Sequence, residues 1–304
     1  MDNKNTKKRL IALGYIMVLV SAIGFGSYGI WSKNIGSDFG VFTQGWVRSL
    51  IVLLILVPIC LKTKQFKRIA KNDLKWALVP VLFGIATQAP LYYAYNNMSI
   101  GTATLIFYSL YLITSYIFGY FFMNETIGLP KKIALMLAIV GLGLTFKIEL
   151  GVFSLLALSL AAINGVASGG EVASTKKLEK KYSSLQVSIL IWLGIFLTHL
   201  PAAFINGEQL APIGLTASWL SMLAYAVVGM AAFWLVIEGF RHIDASIGGL
   251  LGLSEVVFAV IFGIILFKEK IGLSTAIGGS LIILAAALPD LYNLLTRNKQ
   301  KILK

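Results

Sequence analysis

Uncharged apolar stretches of about 20 residues alternate along the chain with short polar segments, most of them basic. About 20 helical residues rising about 1.5 Å each cross the hydrocarbon core of a bilayer. The first stretch, Leu10 to Ser32, holds 23 residues without a charge. It follows a basic N-terminus as a secretory signal would, but its length and the absence of a small-x-small cleavage pattern make it a retained helix. The stretch from Trp76 to Asn124 holds 49 uncharged residues, and the polar cluster Asn96, Asn97, Ser99, Gly101 and Thr102 divides it in two. The pattern predicts helices near 10–32, 41–61, 74–95, 102–123, 130–147, 151–172, 185–205, 216–238, 245–267 and 271–292. The fifth has the thinnest support, since only 14 uncharged residues separate Lys132 from Lys147, two side chains long enough to reach the interface.

Composition turns this pattern into a fold class. Of 304 residues, 58% are apolar and 13% charged, whereas soluble domains carry about 45–50% and about 25%. The expected class is an all-α polytopic membrane protein of ten transmembrane helices. The net charge of +13 would suggest nucleic acid if it covered a soluble face. Instead the Lys and Arg gather between the apolar stretches, so no nucleic-acid partner is expected. Ten spans put both termini on one side, and that side collects 21 of the 26 basic residues. Lys33, Lys147, Lys268 and Lys270 fall on the other side, and Arg48 within a span. Such asymmetry marks the rich side as cytoplasm. The single cysteine, Cys60, excludes an intramolecular disulfide.

Shifted by 144 residues without a gap, the chain repeats itself. Ile117, Phe118 and Gly119 fall on Ile261, Phe262 and Gly263, and Glu125 falls on Glu269. Ile127, Gly128 and Leu129 fall on Ile271, Gly272 and Leu273, and Lys33 on Lys177. The expected organisation is an N-terminal five-helix repeat over 1–148 and a C-terminal one over 149–304, integrated in one membrane domain. An odd number of helices per repeat makes the second enter from the opposite face. Two inverted five-helix repeats can exchange conformations about a site near the midplane, the arrangement of many secondary transporters.

Arg48 in the second span, Trp192 at the matching place in the seventh, and Glu255, Val256, Val257, Phe258, Ala259 in the ninth stand with the acidic residues Glu125 and Glu269, which follow the fourth and ninth spans. On these residues the sequence resembles the EamA-like transporters of the drug/metabolite transporter superfamily, over essentially its whole length. The Pro of that family's Glu-Pro-Val-Phe-Ala-like segment is absent here, and the equivalent pair in the fourth span, Tyr111 and Leu112, lacks it too. The resemblance implies a ten-helix carrier of small organic metabolites in the inner membrane.

Glu255 is the most informative single residue. It lies near the centre of its span, where an ionised carboxylate is costly unless paired or hydrated. Gly248, Gly252 and Ala259 share its face, and small residues mark packing faces rather than lipid-facing ones. It is the candidate for substrate binding and for coupling, with proton exchange as one mechanism; a neutral carboxyl bonded to a neighbouring helix is the bland reading. The repeat places Tyr111 opposite Glu255, with Thr104, Tyr108 and Ser115 on its face. Gln88, Tyr92 and Tyr95 on the third span, Gly24, Tyr28 and Trp31 on the first, Asn164, Ser168 and Glu171 on the sixth, and Trp234 and Glu238 on the eighth complete the polar and aromatic stripes. The expected binding set is Glu255, Tyr108, Tyr111, Gln88, Tyr92, Trp234, Asn164 and Tyr28. Trp31 and Tyr95, near span ends, read as interfacial belt residues, and Glu171 and Glu238 as a solvated entrance. Arg48 lies about 10 Å inside the outer end of its span. It could pair with a substrate carboxylate, but orienting backbone carbonyls of helix ends is the favoured reading.

Gly24, Gly26 and Gly29 spell G-x-G-x-x-G, but inside an apolar span rather than after a strand, so helix packing or a helix break explains them. Walker loops, a nucleophile elbow and metal-ligand spacing around His199 and His242 are lacking, and no cofactor or metal is expected. The function these residues imply is alternating-access transport of a small metabolite, an amino acid or an organic cation or amine. Such a ligand suits an aromatic pocket holding one carboxylate. A membrane enzyme or a structural membrane subunit is the competing class, separated by whether purified protein moves a solute in liposomes. Topology is directly testable: a reporter fused after Lys304 should be active only on the cytoplasmic side, and one inserted beside Glu208 only outside. Periplasmic activity of the C-terminal fusion would invert the assignment.

Overall fold

The computed structural model describes residues 3–123, 128–149, 153–175, 177–178, 181–240, 242–243 and 251–302. Regular structure among the described residues is helical throughout, as expected where the solvent offers the backbone no hydrogen-bond partners. The first span is α1 (Asn3–Gly26) followed by α2 (Tyr28–Ile35). Then come α3 (Val41–Lys62), α4 (Leu74–Asn97), α5 (Ile100–Met123), α6 (Leu129–Glu149), α7 (Leu155–Thr175), α8 (Ser184–Ile205), α9 (Ala217–Phe240), α10 (Ser254–Phe267) and α11 (Leu273–Ile302). Eight spans among the described residues are long and apolar enough to cross a membrane, so this is a multi-pass membrane protein.

Two of the ten expected spans stand outside those eight. Helix α6 forms, but Lys131 and Lys132 lie in its first turn. Helix α10 is shorter, 14 residues, and residues 244–250 before it lie outside the described residues. Glu125, Arg241 and Gly248 and the side chain of Lys147 lie outside them too.

The first span shows both a helix break and close packing at its glycines. The helix is interrupted at Ser27, where the Ile30 N–H reaches back only three residues, to the Ser27 carbonyl, at 2.9 Å. The Ser27 hydroxyl donates to the Gly24 carbonyl at 2.6 Å and accepts from Trp31 Nε1 at 2.8 Å. Meanwhile Gly24 abuts Ala232 of α9, and Gly26 abuts the Glu255 carbonyl, so close that a Cβ at Gly26 would stand 2.8 Å from that oxygen.

Lipid tails are as apolar as leucine, so close backbone approach and polar contacts, rather than expulsion of water, hold such helices together. Helix α7 shows the rule: Gly165 and Gly169 press against the carbonyls of Phe107 and Tyr111 in α5. Gly141 of α6 and Gly278 of α11 do the same for each other. The helix pairs in contact include α3 with α8, α5 with α10 and α6 with α11. They also include α4 with α7 and α1 with α9, α5 with α7 and α1 with α10, and α4 with α8 and α3 with α9.

Polar clamps tie loops and helix ends together at both ends of the bundle. At one end the loop before α4 grips the loop before α8. Asp73 accepts from Lys181 Nζ at 2.7 Å and from the Tyr182 hydroxyl at 2.9 Å, and Gln186 brackets the Lys67 backbone. The hydrogen bond to Asp73 raises the Lys181 ammonium above the ordinary lysine range. At the other end carboxylates cap helix N-termini, where free N–H groups and the helix dipole favour negative charge. Glu208 accepts from the Thr43 N–H at 2.7 Å and its hydroxyl at 2.8 Å, at the start of α3. Glu269 accepts from the Ile100 N–H at 2.8 Å and from Lys33 Nζ at 2.7 Å, tying the ends of α2 and α10 to the start of α5.

Close approach should therefore limit stability. A Cβ at Gly169 would stand 2.6 Å from the Tyr111 carbonyl oxygen, whereas nothing lies within 4 Å of one at Gly143. Gly169→Leu is expected to cost about 1–3 kcal/mol, as overpacking does, and to lower the melting temperature in detergent. Gly143→Leu should leave it unchanged.

Candidate functional site

Helix α10 carries Glu255 at its start, and α5 carries Tyr108 and Tyr111 one turn apart on the face that meets it. Together with Phe25 of α1, Tyr116 of α5 and Asp290 of α11 they border a cavity of about 350 Å³. The Tyr108 side chain and the Glu255 carboxyl face the same cavity. The Tyr108 and Tyr111 rings meet edge-on with centroids 6.0 Å apart. Gly252, one turn before Glu255, has no atom within 4 Å of where a Cβ would lie and leaves that wall open. Ala259, one turn after it, is buried. A carboxylate among phenols, in a recess with a second carboxylate, can hold a cation by charge and by aromatic faces.

Gln88, Tyr92 and Tyr28 belong to an adjoining cluster centred on Arg48, which is 3% exposed. The guanidinium lies 3.8 Å from the Tyr225 ring of α9, 4.8 Å from the Tyr28 ring of α2 and 5.3 Å from the Trp192 ring of α8. Its Nη1 donates to Gln88 Oε1 and to the Tyr92 hydroxyl, both at 3.3 Å, and Tyr92 donates to Gln88 Oε1 at 2.7 Å. These partners are side chains, which corrects the favoured expectation that Arg48 orients carbonyls at helix ends. Gly229 of α9 makes room for the cluster: a Cβ there would stand 2.8 Å from Arg48 Nη2. Tyr28 joins the two regions, since its ring also packs edge-on against Phe25 at 5.6 Å.

Two expected site residues lie elsewhere. Trp234 is 59% exposed. Tyr225, Gly229, Ala232 and Val236 turn one face of α9 inward, and Trp234, two positions from Ala232 and Val236, points the other way. Asn164 is buried between helices rather than on the cavity, donating through Nδ2 to the Thr87 carbonyl of α4 at 2.8 Å. There it steadies the turn that carries Gln88. Tyr95, read as a belt residue, is buried against α5 within 3.4 Å of the Thr104 hydroxyl. The second carboxylate, Asp290, was missed, although it is the only acidic residue between Lys270 and the C-terminus. Tyr225 was missed as well, and no linear signal distinguishes it from other span tyrosines.

The family model described as the EamA-like transporter family matches this chain twice, over residues 12–147 and 155–288. An uncharacterized transporter of Haemophilus influenzae is 27% identical over 212 residues, covering 67% of this chain and 69% of that protein. An uncharacterized transporter of Archaeoglobus fulgidus is 24% identical over 282 residues, covering 90% and 95%. An S-adenosylmethionine uptake transporter of Rickettsia bellii is 23% identical over 303 residues, covering 95% and 97%. A solved crystal structure superimposes with a TM-score of 0.61 over 92% of this chain and 96% of its own, at 14% identity, a likeness of fold.

Cavity and lipid faces can be told apart chemically. Cys60 is fully buried, so an introduced thiol reports alone. A water-soluble thiol reagent should label Asp290→Cys, on the cavity wall, and leave Trp234→Cys unlabelled; the reverse pattern would displace the site.

Proposed function

Because the chain belongs to the EamA-like transporter family, we propose that it carries a small organic cation or an amino acid across the cytoplasmic membrane by alternating access, with Glu255 as the cation-binding and coupling group. The observation that carries this reading is the cavity between α1, α5, α10 and α11, where Glu255 meets Tyr108 and Tyr111. Relatives named as S-adenosylmethionine uptake transporters, at 23–24% identity, support a cationic metabolite as cargo. Their names, with the family's, support a carrier over a membrane enzyme or a structural subunit.

Helix contacts support the inverted repeat. Exchanging the halves turns α4 with α7 into α9 with α1, and α5 with α7 into α10 with α1, and both members of each exchange are present. The pairs α3 with α8, α5 with α10 and α6 with α11 map onto themselves, as elements beside a pseudo-two-fold axis must. Arg48 and Trp192, matched by the 144-residue shift, lie 5.3 Å apart, and Tyr111 and Glu255, matched likewise, share the cavity. The carrier therefore binds cargo on the axis between 1–148 and 149–304, where both halves contribute equally to either open state.

In the proposed orientation, with both termini cytoplasmic, the outer end is sealed where Lys33 and Glu269 join α2, α10 and the start of α5. The cavity, with Asp290 near the far end of its span, faces the cytoplasm. Proton exchange and simple charge pairing both act through Glu255 and separate by stoichiometry: exchange releases a proton when the cation binds, and pairing on an ionised carboxylate releases none. Glu255→Gln keeps the side-chain shape and removes the charge. In liposomes it should abolish gradient-driven uptake of a cationic substrate found by thermal-shift screening of metabolites. Uptake by the variant equal to wild type at every pH would return Glu255 to a packing role.

A further inference from the structure

Arg48 is a buried cation whose surroundings are incomplete. Of its three nitrogens, Nη1 meets Gln88 and Tyr92 at 3.3 Å, long for charge-assisted bonds. The Tyr28 ring lies 4.8 Å from the guanidinium. Nε is buried and has no partner. Among the described residues, no carboxylate lies within 4.0 Å of Arg48. Every neighbour in the cluster is thus neutral: an amide, phenols and an indole. Aromatic faces attract a guanidinium, but they do not cancel its charge. A buried arginine otherwise finds a carboxylate or phosphate matching its planar donor fork.

A second unmet donor stands beside the first. The Tyr225 ring stacks on the guanidinium at 3.8 Å, and its hydroxyl is buried without a partner. Two orphaned donors from α3 and α9, one of them cationic, ask for an acceptor that carries negative charge. From these contacts, and resting on the transport reading above, we infer that Arg48 and the Tyr225 hydroxyl form the subsite for a carboxylate of the transported molecule. The substrate is then a zwitterion of the amino-acid type, with its cationic end at Glu255, and not a simple amine. Tyr28 separates the two subsites, and its position next to the helix interruption at Ser27 makes it the side chain that turns aside when such a ligand spans them.

Matched pairs of compounds that differ only in the carboxylate test this on the full-length protein in detergent, by thermal stabilisation as a function of concentration. Suitable probes are arginine with agmatine, lysine with cadaverine, and S-adenosylmethionine with its decarboxylated form. In at least one pair the carboxylated member should act at a concentration at least about tenfold lower, the minimum for a charge-assisted contact. Arg48→Gln should erase that preference while the decarboxylated member still binds, and Arg48→Lys should restore part of it. Tyr225→Phe keeps the ring on the guanidinium and removes only the hydroxyl, so it should reduce the preference severalfold even if Arg48→Gln fails to fold. The inference is overturned if decarboxylated members bind as tightly as their partners, if no carboxylated member stabilises the protein, or if Tyr225→Phe and whichever Arg48 variants fold keep the preference. Failure of the transport reading looks different: there Glu255→Gln leaves both members of each pair bound as in wild type. Tight binding of agmatine or cadaverine that needs Glu255 would preserve that reading and remove only the carboxylate subsite.

Discussion

The hydrocarbon core of a bilayer offers no hydrogen-bond partner, and almost every feature of this protein follows from having to satisfy its polar groups internally. Backbone groups are met by making helices of 21–24 residues for most spans. Side-chain groups are met by gathering them toward the bundle axis, where helices from both halves supply partners. The Arg48 cluster draws on α2, α3, α4, α8 and α9 for this reason. A guanidinium at that depth needs more neutral partners than any one neighbouring helix can present.

Gathering polar groups on the axis requires the helices around it to come close, and that is the work of the small residues. Gly165 and Gly169 let α7 touch the backbone of α5, and Gly229 lets α9 reach Arg48 and Tyr28. Close packing cannot continue through the cavity, where Gly252 has open space around it and Glu255 meets Tyr108. The acidic caps at one end and the Asp73–Lys181 clamp at the other set the ends of helices whose middles must leave room.

Legibility in the sequence varied residue by residue. Glu255 stands out because any carboxylate so deep in a span is costly, and Tyr111 follows from it through the 144-residue shift; the cavity holds both. Trp234 was misplaced because α9 is apolar all round, so its periodicity does not say which face turns inward. Asp290 was missed for a different reason: near the end of its span it reads as interfacial, and only the packing of α11 beside α5 and α6 carries it to the cavity.

The amino-acid sequence by itself determined that the chain crosses the membrane many times and that its two halves are copies. Both properties are linear: the first depends on the length of uncharged runs, the second on matches at a fixed offset. Only the tertiary structure decided which side of each helix is inside. For a soluble helix water would have made that choice and left it visible as an amphipathic stripe. Within lipid, apolar residues suit either face, so the choice falls to glycine contacts and to scattered polar atoms, whose partners come from other helices.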